Sequence, residues 1–147
     1  MQSKAFLNLC ICLFAMAVAV GCATTGGGDA AAQKPADDKA AITKVLNDWG
    51  AALATKNIDT IVTFYSDSFS DSDGRGKPEM KGFLQEVIDA GYLDGAKVDL
   101  TTTVITVNGD QATATPVNLS GDMGAIPLSL TLKKEAAGWR IASSSQG

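Results

Sequence analysis

Three kinds of hydrophobic pattern follow one another along the chain. Residues 5–20 are apolar at every position except Asn8. Residues 23–36 (ATTGGGDAAAQKPA) show no apolar period at all. Beyond them the pattern becomes periodic. Ile42, Val45, Leu46, Trp49 and Leu53 recur at helical spacing after the capping candidates Asp37 and Asp38, which predicts a first helix ending near Lys56. Asn57 is placed to end it and to cap a second, short helix carrying Ile58, Ile61, Val62 and Tyr65. An acidic loop over 66–77 follows. Pro78 suits the first turn of a third helix with the apolar face Met80, Phe83, Leu84, Val87 and Ile88, and Gly91 suits its stop.

From Lys97 the period changes to two. Four strands are predicted over 99–107, 111–120, 125–134 and 139–144. Asn108-Gly109 is a tight-turn pair, and 121–124 and 136–138 supply the other turns. Ile126, Leu128, Leu130 and Leu132 hold one face. The first strand changes phase, because Val98, Leu100 and Val104 lie opposite to Ile105 and Val107; a bulge or burial on both faces accounts for that. The expected fold class is α+β, with three N-terminal helices packed on a curved four-stranded antiparallel sheet.

Composition narrows the partners. The formal net charge of -4 becomes more negative without Lys4, which argues against nucleic acid, whose phosphates need clustered Lys and Arg. The chain has no histidine, and its three cysteines, Cys10, Cys12 and Cys22, all precede the periodic region. That region therefore has no disulfide, no thiol nucleophile and no Cys or His metal ligand. No cofactor and no metal are expected.

The N-terminal segment has the layout of an export signal: Lys4, the apolar run, then Gly21-Cys22. The run is short for a membrane span, which needs about 20 residues. Val18-Ala19-Val20-Gly21-Cys22 resembles the lipobox of bacterial lipoproteins, with Ala19 where Leu is preferred. The resemblance implies a signal peptide over 1–21, acylation of Cys22, and a flexible tether over 22–36 holding a domain of residues 37–147 at a membrane. Ala23 after the cysteine resembles the outer-membrane sorting pattern. The alternatives are an ordinary cleaved signal or an uncleaved anchor.

The periodic region resembles the nuclear transport factor 2-like superfamily, in its SnoaL-like and ketosteroid isomerase-like branches. The residues that carry the likeness are Trp49 on the first helix, Lys56-Asn57-Ile58-Asp59, Phe64-Tyr65-Ser66-Asp67-Ser68-Phe69, Asn108-Gly109-Asp110-Gln111-Ala112-Thr113 and Gly138-Trp139-Arg140-Ile141. It implies a cone with an apolar pocket, and domains that often pair through the sheet. Trp49, Phe64, Tyr65, Phe69, Phe83 and Trp139 are the candidate pocket residues, with Trp49 and Phe69 foremost, although each also fits a packed core.

By the same resemblance Asp73 falls where the isomerases place their proton-shuttling carboxylate. The isomerase tyrosine on the first helix is replaced by Trp49, and no second acid matches. Asp67, Asp71, Asp73 and Gly74 suggest a calcium loop, but with Gly74 as its sixth residue the first and twelfth positions are Phe69 and Met80, which cannot ligate. The leading expectation is a non-catalytic envelope lipoprotein binding a small apolar ligand or a protein partner. The alternatives are an isomerase or dehydratase using Asp73 as base, and a homodimeric envelope scaffold.

Overall fold

The computed structural model describes residues 29–147. The export segment, Cys22 and the first part of the expected tether lie outside the described residues. Helix α1 (Asp29–Thr55) begins earlier than Asp37, so the later part of the expected tether is helical. Composition and tertiary anchoring combine here. The segment is rich in alanine, the strongest helix former, and it extends a helix whose costly nucleus is anchored elsewhere. Pro35 sits inside α1, where it forgoes one backbone hydrogen bond. Asp38 is therefore no cap; it lies within the helix.

Ile42, Leu46, Trp49 and Leu53 form the buried face of α1. The helix ends at Lys56, which takes a left-handed φ of 55°. Asn57 then caps α2 (Ile58–Val62), its side-chain oxygen accepting the Thr60 N–H at 3.0 Å. Tyr65 does not continue α2. It opens strand β1 (Tyr65–Asp71), which replaces the first half of the expected acidic loop. Serine and aspartate have low strand propensity, so this edge strand is held by its neighbour rather than by its own composition. Helix α3 (Lys77–Asp89) starts with Pro78 in its first turn. It closes at Gly91, φ 79°, with the Gly91 N–H donating to Ile88 and the Tyr92 N–H to Val87. Those two bonds satisfy carbonyls that a helix end otherwise leaves open.

The expected first strand of the sheet is two strands, β2 (Lys97–Asp99) and β3 (Val104–Asn108). A turn between them accounts for the change of phase. There the Asp99 carboxylate accepts from the Thr101 N–H at 2.8 Å. Both strands pair with β4 (Gln111–Gly121), through Asp99 opposite Asn118 and Val104 opposite Thr115. Strands β5 (Gly124–Glu135) and β6 (Gly138–Gln146) complete an antiparallel meander. β1 then adds parallel to β6, with Tyr65 opposite Ile141. The sheet has six strands and is mixed, rather than four strands and antiparallel. A parallel partner separated by some 70 residues leaves no period-two or turn signal that links it to β6.

Register breaks between Ala114 and Val117 on β4 and between Thr131 and Leu132 on β5 interrupt the ladder. Such bulges bend strands and raise their twist. Helix α1 crosses β2, β3 and β6, while α3 lies on β1 and against α2. At the N-terminal side, the Asp38 carboxylate accepts from Lys134 Nζ at 2.5 Å and from Trp139 Nε1 at 3.2 Å. At the other end of α1, Lys56 pairs with Asp94, and Asp94 accepts the Asp122 N–H through its carbonyl at 2.8 Å. The helix is thus pinned at both ends of the sheet.

Candidate functional site

Between the helices and the sheet lies a cavity of about 460 Å³. Helix α1 contributes Trp49 and Leu53, β1 contributes Tyr65, and α3 contributes Met80, Phe83, Leu84 and Val87. The inward row of the sheet, including Leu119, Leu128 and Leu130, forms the facing wall. These residues meet because the period of α1 and α3 turns one apolar stripe inward, while β4 and β5 present alternate side chains to the same side. The interior is not packed shut by its aromatic rings.

Two turns make the mouth: 91–95 after α3, and 121–124 between β4 and β5. Tyr92, Met123 and Ile126 line the cavity there and remain 53%, 63% and 40% exposed. Large apolar side chains left in water around an opening are a sign of a binding surface. No Asp, Glu, Lys or Arg lines the cavity among the described residues. Besides the Trp49 indole N–H, its polar side chains are the four of Tyr65, Ser120, Ser144 and Gln146. Only Tyr65 is buried, at 4% exposure; the other three reach solvent.

Trp49 Nε1 donates to the Tyr65 hydroxyl at 3.3 Å. Burial pushes the Tyr65 phenol up to about 12, with the Trp49 hydrogen bond pulling the other way and the Asp71 charge adding to the rise. At neutral pH the phenol therefore keeps its proton. Phe69 packs its ring against Tyr65, with centroids 4.5 Å apart and planes tilted by 49°.

Of the residues singled out in the sequence, Trp49, Tyr65 and Phe83 line the cavity. Phe69 stands behind Tyr65 in the core, and Phe64 is a half-buried packing residue. Trp139 belongs to the opposite end of α1, beside Asp38. Asp73 does not line the cavity. It lies exposed in the turn after β1, where Arg75 Nη2 donates to it at 2.5 Å. The centre of that turn is Asp71, whose carboxylate accepts from the Asp73 N–H at 3.0 Å, the Arg75 N–H at 2.8 Å and Arg75 Nε at 2.6 Å. Burial raises Asp71, but those bonds outweigh it and hold the carboxyl below its ordinary value. The Arg75 guanidinium stacks over the Phe83 ring, 4.1 Å from its centroid. The acidic stretch is thereby consumed in shaping the turn and backing a cavity residue.

Sequence reasoning missed the mouth. Leu93 and the exposed Tyr92 and Met123 sit in turns, where no period marks them; the one available signal was an apolar methionine between two glycines in 121–124.

No protein-family model matches the sequence, and a search of curated proteins finds no relative. Solved structures do match. A protein of unknown function from Mycobacterium tuberculosis superposes with a TM-score of 0.66 at 17% identity, covering 82% of this chain and 77% of that one. An NTF2-like protein with a cystatin-like fold from Novosphingobium aromaticivorans gives a TM-score of 0.63 at 17% identity, over 80% and 85% of the two chains. A cystatin-like-fold protein of unknown function from Nostoc punctiforme gives 0.63 at 16% identity, over 76% and 90%. Likeness at such identities establishes a fold and leaves the activity open.

Proposed function

We propose that this chain, of the nuclear transport factor 2-like fold, is a lipid-anchored protein of the bacterial cell envelope that holds a small apolar molecule inside its cone. The observation that carries the reading is the open, apolar-lined cavity of about 460 Å³. That volume lies within the range of roughly 300–1,000 Å³ in which proteins commonly house small ligands. Moving apolar ligand surface out of water into such a space is favourable by about 25 cal/mol per Å². Among the described residues the lining offers shape and burial, and no carboxylate or imidazole that would move a proton. Binding rather than turnover is the chemistry this arrangement serves.

The anchor rests on the sequence: an apolar run ending in Gly21-Cys22, followed by a segment rich in glycine and alanine. Radiolabelled palmitate is expected to mark the wild-type protein in bacterial cells and to leave Cys22→Ser unmarked. Equal labelling of the two would end the lipoprotein reading. For the cavity, the intact chain in phospholipid nanodiscs is expected to take up one naphthalene per protein beyond what empty nanodiscs absorb. Leu128→Trp, which fills the interior with an indole, should abolish that uptake. Undiminished uptake by this variant would place the naphthalene elsewhere.

A further inference from the structure

We infer that Tyr65 is the polar anchor of the cavity and selects neutral ligands that carry a hydrogen-bond acceptor, such as a ketone, over carboxylates of the same shape. The inference rests on the cavity being a ligand site and goes on to name what it accepts. A phenol oxygen has one proton to give and two lone pairs to receive. The Tyr65 oxygen receives the Trp49 indole N–H. Among the described residues that is its one hydrogen-bond partner, and none of them accepts the phenol's own proton. The side chain is almost fully buried and lines the cavity. The indole is a donor only, so it fixes the oxygen's lone pair and leaves the proton as the group presented to a guest.

The sign of the site follows from the same inventory. A guest carbonyl accepts the phenol proton and completes both residues' hydrogen bonding. Among the described residues no cation lines the space a guest carboxylate would enter, and the turns at its mouth carry Asp122 and Asp94, the latter paired with Lys56. Burying an unpaired charge is far costlier than burying a paired neutral dipole. An alkene in place of the ketone leaves the phenol proton as it is in the empty protein. It forgoes a bond whose net value corresponds to roughly fivefold in affinity.

The test is equilibrium dialysis of the intact chain in phospholipid nanodiscs, with empty nanodiscs as reference and three matched compounds: acetylnaphthalene, isopropenylnaphthalene and naphthoate. The expected order is ketone, alkene, carboxylate, with the ketone about fivefold ahead of the alkene. Tyr65→Phe should bring ketone and alkene level by weakening the ketone, and continued uptake of the alkene by the variant shows the cavity intact. Equal binding of ketone and alkene by the wild type, or a preference that survives Tyr65→Phe, overturns the anchor and spares the apolar cavity. Naphthoate as the tightest guest overturns the charge argument. Failure of all three to bind overturns both the anchor and the cavity reading beneath it. A readout on the wild type alone guards against a variant that does not fold. The infrared carbonyl stretch of bound acetylnaphthalene should lie below its value in hexane, and an unshifted band rejects the hydrogen bond.

Discussion

Asp38 shows how much one side chain can fix. It is a buried carboxylate on a helix, and its two partners, Lys134 and Trp139, come from the strands that flank the last hairpin. The hydrogen bond from Lys134 lowers its pKa, burial opposes that, and the Trp139 N–H adds to the lowering. The unfolded chain therefore binds this proton more readily than the folded one. The ionised group contributes stability above the ordinary carboxylate value of about 3.9 and loses it as the pH falls through the lower folded value. Urea midpoints of wild type and Asp38→Asn should differ at pH 7 and converge below about pH 4. A gap that stays constant across that range would assign the effect to something other than this titration. Leu132 is a purely apolar counterpart, with no exposed surface. Leu132→Ala leaves a hole against Ile141 and Ala112, and should cost about 2–5 kcal/mol in denaturant unfolding.

Gly50 governs how closely two elements approach. A Cβ there would stand 2.8 Å from Val98 Cβ and 2.9 Å from its Cγ2, so α1 can lie on β2 only because that hydrogen is not a methyl group. In a free helix Gly→Ala gains up to about 1 kcal/mol; here overpacking of about 1–3 kcal/mol should reverse the sign. Gly50→Ala is expected to destabilise, and adding Val98→Ala should recover part of the loss. Simple additivity in that double-mutant cycle would mean that the two residues do not meet. Nothing in the sequence marks Gly50 as a contact, because a glycine in a helical run also reads as neutral. The elements that were legible are those with a local cause: the Asn57 cap, Pro78 and Gly91 around α3, the Asn108-Gly109 turn, and the period-two face of β5. Those that were not have distant causes. β1 exists because β6 pairs with it, the break between β2 and β3 depends on the course of β4, and α1 extends back to Asp29 from a nucleus anchored by tertiary contacts. The site divides in the same way. Trp49, Tyr65 and Phe83 were readable as aromatics within periodic segments. The mouth was not, and Asp73 was placed by analogy with a family pattern that Arg75 diverts into a turn.

On the scale of the whole molecule, α1 works as a strut. Its 27 residues span about 40 Å. Its early part is tied to the turn between β5 and β6 through Asp38, and its last residues meet the two turns that frame the opening through Lys56 and Asp94. The N-terminus of the helix and the mouth of the cone therefore lie at opposite ends of the sheet. An anchor preceding α1, as proposed above, would attach at the end of the sheet away from the opening.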